Sequence, residues 1–459
     1  MGKYFGTDGI RGVVNKSLNA ELAFKAGAAA SMVLAEAKKT GEKPLFTIGK
    51  DTRISSDMLE SAIIAGLCSA GADVLQLGVI PTPAVAHITI ASGADAGIMI
   101  SASHNPYEHN GIKIFNCNGY KLSDELENEI ESLIDAPDKL KFCINDDLGR
   151  LINRGDKYID LYIEHVLSSI EGGISDLKVM IDCANGAAVR TVNDIFGRLS
   201  IELELIKDRP DGCNINDKCG STHIENLGRL VVAGGYDVGL AFDGDADRCL
   251  AVDENGRLLD GDKIMAICGK AMLSRGELKH DTIVATVMSN IGFHEFCNKN
   301  GLYIRSAPVG DRNVLDVMQK HGFNLGGEQS GHIIFLDDET TGDGQLAALK
   351  FLKAVSDSGK KVSKLAAEIP TYPQVLINVP IEGGNEVKKT ILSDESFKLQ
   401  VEAAEKNLGD SGRVLVRPSG TEALIRVMVE SSDAVLAESV SNCLADCIRG
   451  KAADYTGEI

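Results

Sequence analysis

Apolar runs bounded by turn residues recur along this chain in a repeating order. The first set is PLFTIGKDTR at 44–53, ADVLQLGVI at 72–80 and AGIMISASHN at 96–105, with stretches of helical periodicity between them. The same β-α-β-α-β order returns with KVMIDCANGA at 178–187, IELELIKD at 201–208 and DVGLAFDGDAD at 237–247. Here the intervening helical stretches are AAVRTVNDIFGRL and HIENLGRLVVAG. It returns more loosely with DTIVATVMSN, GLYIRSAPVG and the Gly-rich FNLGGEQSGHIIF. Strands alternating with helices predict mostly parallel sheets with right-handed crossovers, whose ligands gather beyond the carboxyl ends of the strands. That rule singles out the loops after the third strand of each repeat: SASHNP at 101–106, DGDADR at 243–248 and GEQSGH at 327–332.

After about Pro370 the pattern changes. QVLINVPIEG and GRVLVRPSGTEALIRVMVES read as antiparallel strands, LSDESFKLQVEAAEKNL and AVLAESVSNCLADCIRG as helices, which together predict a smaller α+β domain. The expected organisation is three related mixed α/β domains over 1–155, 156–256 and 257–370, closed by an α+β domain over 371–459.

A chain of 459 residues exceeds what a single core organises, in keeping with several domains. The 47 basic side chains against 66 acidic ones leave a net charge of −19, which disfavours nucleic acid and anionic membranes as partners. Any bound anion must be held by local arginines and backbone amides. The opening MGKYFGTDGIRG lacks the apolar core of a signal peptide, and no run approaches the roughly 20 apolar residues of a spanning helix, so a cytoplasmic location is expected. The 11 cysteines include no CxxC pair and several sit in apolar runs, as expected of buried thiols in a reducing compartment.

In FDGDADR the carboxylates of Asp243, Asp245 and Asp247 alternate, so extended backbone would project all three to one side. Three gathered carboxylates call for a hard cation, and magnesium suits all-oxygen ligation; the 12-residue calcium loop ending in Glu is absent. SASHNP offers Ser101 or Ser103 as nucleophile beside His104, although a Ser-His pair alone is more often a local hydrogen bond. VRPSGTEALIRVMV collects Arg417, Ser419, Gly420, Thr421 and Arg426, an inventory suited to a phosphate; standing alone, it would sooner be an Arg-rich surface turn paired with Glu422. GEQSGH supplies Glu328, Gln329, Ser330 and His332, donors and acceptors matched to sugar hydroxyls.

Taken in order over the whole chain, SASHNP, FDGDADR, GEQSGH and RPSGTE closely resemble the α-D-phosphohexomutase family. The resemblance implies three α/β domains and a C-terminal domain around a central cleft. It also implies an isomerase that moves a phosphoryl group through a phosphoserine and a sugar 1,6-bisphosphate, which is also a possible activator. On this resemblance Ser103 is the phosphoserine. Its phosphoryl group and Asp243, Asp245 and Asp247 hold Mg²⁺, and Arg11 and Arg248 line the transfer site. His104 orients the loop, Glu328 and Ser330 hold sugar hydroxyls, and Arg417, Ser419, Gly420, Thr421 and Arg426 hold the distal phosphate. Lys113 in NGIKIF, ahead of His332, is implied as general base. KYFGTDGIRG, the SAS start of the serine loop, Gln329 and CNINDKCGSTH are similar to family members acting on glucosamine phosphates, so a hexosamine phosphate is the expected substrate for a monomer or homodimer. Glucose or mannose phosphates are the alternative substrates. An aspartyl-phosphate phosphatase and a non-catalytic sugar-phosphate sensor are the rivals from other classes.

Overall fold

The computed structural model describes residues 2–6, 8–35, 43–152, 155–382, 384–419 and 423–456. Two compact units emerge, Met1–Met288 with Asn300–Glu368, and Ser289–Lys299 with Ile369–Ile459.

The larger unit contains three sheets, and each repeat solves the same packing problem in the same way. In the first, Leu45–Lys50 pairs in parallel with Asp73–Val79 on one side and Ala96–Ile100 on the other, and Ala96–Ile100 then pairs antiparallel with His109–Asn116. In the second, Ser175–Asp182 lies parallel to Ser200–Ile206 and Val238–Phe242, which pairs antiparallel with Cys249–Asp253. In the third, Thr282–Thr286 lies parallel to Tyr303–Ala307 and Leu325–Gly327, which pairs antiparallel with Ile333–Phe335. The strand order is thus second, first, third, hairpin partner in all three. FNLGGEQSGHIIF, read as one weak strand, is two short ones with GEQSGH at their turn.

Each polar loop is therefore the connection of a hairpin rather than a crossover, which anchors both its ends in one sheet. The strands that lead into these loops, Ala96–Ile100, Val238–Phe242 and Leu325–Gly327, are buried along their whole length, as expected of strands covered on both faces. Separate apolar clusters serve the repeats, around Phe46, Ile98 and Ile112 in the first, Leu227, Val231 and Ala241 in the second, and Val284, Val314 and Met318 in the third. Among the described residues no helix is long and apolar enough to cross a membrane.

The smaller unit carries a three-stranded antiparallel sheet in the order Gln374–Pro380, Leu424–Ser431, Gly412–Pro418. Helices Glu395–Leu408 and Ala434–Thr456 pack on it through Phe397, Leu408, Ala437, Leu444 and Ile448 against Val379, Val427 and Val429.

Candidate functional site

The tips of two hairpins meet at Ser103. Its backbone takes the left-handed conformation, φ 52°, as does Ala246 in the aspartate loop at φ 55°; non-glycine residues hold this only where the surroundings over-determine it. Those surroundings are visible. Ser101 Oγ accepts from the Ser103 N–H at 2.9 Å and donates to Asp51 at 2.7 Å. Arg53, held by Asp51 at 2.8 Å, donates to the carbonyls of Ser103, Asn105 and Pro106. Asn216 adds donations to the Ser103 and Asn105 carbonyls at 2.9 and 3.1 Å. Gly244 permits the contact between loops, since a Cβ there would lie 2.5 Å from the Ser103 carbonyl oxygen.

The buried Ser103 hydroxyl donates to Asp243 Oδ2 at 2.5 Å and lies 3.3 Å from His104 Nδ1. Asp243, Asp245 and Asp247 are all buried, with one carboxylate oxygen of each within 4.8 Å of the others. Burial, then the charges of Asp247 and Asp245, pushes the Asp243 carboxyl well above its ordinary value. Oδ1 of Asp245 and Oδ1 of Asp247 are buried without a hydrogen bond. Three carboxylates with unspent oxygens and mutual repulsion fit a divalent cation with oxygen ligation.

Lys113, on the hairpin strand His109–Asn116, lies 2.7 Å from Asp245 Oδ2, 3.5 Å from Asp247 Oδ2 and 3.4 Å from Asp8 Oδ2. Although burial opposes its charge, these three carboxylates raise its pKa and hold it as an ammonium. Thr82 donates to Asp245 from its hydroxyl at 2.5 Å and from its amide at 2.9 Å, fixing the middle aspartate. The Arg248 N–H donates to Asp243 at 3.2 Å, and its guanidinium Nε lies 3.8 Å from Asp247. Arg11 pairs with Asp8. Burial, then Arg248 and Arg11, brings His104 down to about 4, so it is neutral at pH 7.

The third hairpin contributes His332, 3.7 Å from Asp247 through Nδ1, with Nε2 accepting from the Gly342 N–H at 3.2 Å. Asp311 reaches 3.8 Å from His332 Nε2 and is paired at 2.5 Å with Lys121, which also pairs with Asp8. Acidic and basic groups thus alternate between Lys113 and His332. A Cβ on Gly342 would stand 2.5 Å from the His332 ring. Gly342→Ala is therefore expected to displace the imidazole and lower kcat roughly tenfold or more, with circular dichroism unchanged. Glu328 accepts from the Gly310 N–H at 2.9 Å, and Ser330 lies 3.4 Å from Glu328. Gln329 donates to Asp260 at 3.1 Å, and Asp260 caps helix Gly261–Arg275, so this amide secures the loop.

In the smaller unit Arg417 and Arg426 are directly opposed across adjacent strands. Burial, then the charge of Arg426, lowers the pKa of Arg417. Like charges opposed across a sheet destabilise it, and an anion between them relieves the cost. Ser419 is buried, and its carbonyl accepts from Lys388 at 2.8 Å. Gly420, Thr421 and Glu422 lie outside the described residues.

The order of four motifs has a counterpart in known proteins. Models of the phosphoglucomutase/phosphomannomutase domains match in sequence: alpha/beta/alpha domain I over residues 2–141, domain II over 156–256, domain III over 260–372 and the C-terminal domain over 376–446. The chain belongs to the phosphoglucomutase/phosphomannomutase family. Phosphoglucosamine mutase of Caldanaerobacter subterraneus subsp. tengcongensis is 51% identical over 451 residues, covering 98% of this chain and 100% of the relative. That of Acetivibrio thermocellus is 51% identical over 434 residues, covering 94% and 96%. Among solved structures, a phosphoglucomutase/phosphomannomutase family protein from Burkholderia thailandensis superposes with a TM-score of 0.82 at 23% identity, covering 98% of both chains. N-acetylphosphoglucosamine mutase of Aspergillus fumigatus, solved with GlcNAc-6P and magnesium, does so at 0.67 and 17% identity, covering 98% and 96%.

Within this family fold, several residues around the serine escaped sequence reasoning. Asp51 and Arg53 stand at the carboxyl end of the first strand, where the parallel-sheet rule already points. Thr82 opens a helix with no motif around it, and Asp8, Lys121 and Asp311 are scattered through the chain. Folding alone brings these together.

Proposed function

We propose that this chain is a phosphoglucosamine mutase that interconverts glucosamine 6-phosphate and glucosamine 1-phosphate through phospho-Ser103. The observation that carries the reading is the buried Ser103 hydroxyl on the Asp243 carboxylate, within a three-aspartate cluster contributed by the next repeat. The full-length likeness to phosphoglucosamine mutases supports the amino-sugar substrate.

In the proposed cycle phospho-Ser103 transfers its phosphoryl group to the free hydroxyl of a hexosamine phosphate. The Ser–O–P bond breaks and a sugar–O–P bond forms, giving the 1,6-bisphosphate. After the bisphosphate turns over, its other phosphoryl group returns to Ser103. Asp243, Asp245 and Asp247 would hold Mg²⁺, which supplies charge neutralisation at the transferring phosphoryl group. Arg11 and Arg248 add cationic charge at the same place, and Glu328 and Ser330 engage sugar hydroxyls.

Lys113 is the proposed proton-transfer residue. The attacking sugar hydroxyl must lose its proton and Ser103 Oγ must gain one as it leaves; neutral Lys113 would accept the first and return it to Oγ, against the pull of Asp245, Asp8 and Asp247, which raise its pKa and favour the ammonium. His332 is the weaker candidate, because its Nε2 accepts from Gly342. His104, neutral and next to Ser103 Oγ, orients the serine loop.

Arg417, Ser419 and Arg426, with Gly420 and Thr421, are proposed to hold the phosphate that is not reacting. Arg417→Ala is expected to raise KM for the sugar phosphate by roughly 10–100-fold with a smaller change in kcat, since bidentate guanidinium contacts carry uniform binding.

The deciding measurement is a substrate panel on purified protein with Mg²⁺. Turnover of glucosamine 6-phosphate well above that of glucose and mannose 6-phosphates is expected; preference for mannose phosphate would move the assignment to phosphomannomutase. Phosphate mapped to Asp243 instead of Ser103 would favour a phosphatase.

A further inference from the structure

Away from the serine site, three segments of the larger unit bring metal-ligating atoms to one point. His87 comes from helix Thr82–Ser92, His165 from helix Gly155–Ser168, and Glu339 from the loop after strand Ile333–Phe335. Their ligand atoms all lie within 4.8 Å of one another. Glu339 Oε1 lies 3.1 Å from His87 Nδ1 and 3.2 Å from His165 Nε2. The Glu339 side chain is only 2% exposed, and this oxygen is buried without a hydrogen bond of acceptable geometry.

The charge around it is unbalanced. Asp343 is buried nearby, accepting from Tyr162 at 2.9 Å, and burial followed by the charge of Glu339 raises it to about 7. Among the described residues neither Glu339 nor Asp343 pairs with a lysine or arginine, while Asp338 is satisfied by Lys350 at 2.8 Å. Glu339 therefore faces two imidazoles, and its charge is balanced only where they are protonated or where a cation is bound.

We propose that His87, His165 and Glu339 form a second metal site, for a zinc-class divalent transition ion, separate from the aspartate cluster. Two imidazoles and a carboxylate are ligands of that class, whereas the all-oxygen aspartates suit magnesium. The nitrogen-to-oxygen spacings approach the roughly 3.4 Å edge of a tetrahedron with zinc bonds of about 2.0–2.1 Å. His165 Nε2–H donates to the Asp338 carbonyl oxygen at 2.9 Å, so metal binding at Nε2 releases that proton and frees the carbonyl oxygen. The rings are stacked with centroids 4.2 Å apart and planes 28° apart, so ligation requires one of them to turn about its Cβ–Cγ bond. His87, 18% exposed, has an open side on which to do so.

The position gives the site a structural consequence. Thr82, which holds Asp245, begins the helix that carries His87, and Gly342, which donates to His332, follows Glu339 by three residues. An ion there ties together the supports of both catalytic hairpins without touching them.

The test uses full-length protein stripped with a chelator, returned to excess Mg²⁺, and titrated with Co²⁺ and then Zn²⁺. Wild type is expected to bind one equivalent of Co²⁺ with the visible ligand-field absorption of a low-coordinate nitrogen site, lost when Zn²⁺ displaces it, and Zn²⁺ should raise Tm. His165→Ala and His87→Gln should weaken binding by roughly 10–100-fold or more and abolish the band, while Asp245→Asn keeps it. Absence of the band and of the Zn²⁺-dependent Tm rise in wild type overturns the proposal, so it does not depend on the variants folding. A band that survives His165→Ala and disappears in Asp245→Asn overturns it equally, as does a wild type whose Tm responds to protonation of the imidazoles but to neither metal.

Discussion

Ser103→Ala is expected to lower mutase turnover by at least about 10³-fold and to leave a folded protein that carries no phosphoryl group in intact-mass analysis. The proposed cycle has one covalent relay, and no neighbour replaces it. Ser101 is spent between the Ser103 N–H and Asp51, and its side chain points into that support. Residues that act as one unit fail together, so loss of the nucleophile costs nearly the whole chemical step. Stability should change little. The variant loses one hydrogen bond to Asp243, worth about 1 kcal/mol, while Arg53, Asn216 and Ser101 still hold the loop through its backbone. A variant with near-normal turnover would show that Ser103 is not the relay.

Asp243→Asn is expected to split activity from stability. Turnover should fall by about 10³-fold, because a cation held by two carboxylates binds more weakly and neutralises less phosphoryl charge. In the absence of Mg²⁺, however, the variant should melt higher than wild type, by the equivalent of about 1–2 kcal/mol. The reason is the repulsion that pushes the Asp243 carboxyl upward: burial first, then Asp247 and Asp245. A carboxyl whose folded pKa exceeds its unfolded value stabilises the fold while protonated, and that contribution is lost as pH rises through the folded value. Metal-free wild type should therefore lose stability as pH increases above the ordinary carboxylate range, and Asp243→Asn should lose less. Thermal melts across pH, with and without Mg²⁺, check both statements; a variant that melts lower than wild type without metal contradicts the repulsion argument.

The two predictions draw on different depths of information. SASHNP and DGDADR are contiguous and their residue types declare their chemistry, although a turn with Ala246 left-handed, and not the extended backbone expected, gathers the three aspartates. The threefold β-α-β-α-β repeat was equally legible, because Val, Ile and Ala runs bounded by Gly, Asn and Asp leave few other structures open. The hairpin after each third strand was harder to read. Cys249–Asp253 and Ile333–Phe335 are short, and three or five buried residues next to a polar loop carry no periodicity that distinguishes a returning strand from an extension of the first. Gln329 is a comparable case. It is one of the residues similar to family members acting on glucosamine phosphates, and its amide donates to Asp260 and secures the helix cap.

Local order along the chain was enough to specify three α/β repeats, an α+β end domain, and the chemical character of each loop. Spacing and side-chain type act over a few residues, and a linear chain preserves them. The electrostatic state of the site arises differently. Whether Lys113 is an ammonium depends on Asp8, Asp245 and Asp247, more than a hundred residues away on either side, and whether Asp243 resists ionisation depends on burial that no local pattern encodes. Charge interactions and desolvation are set by distance in space and by the exclusion of water, and both come into being only when the hairpins of separate repeats are folded against one another.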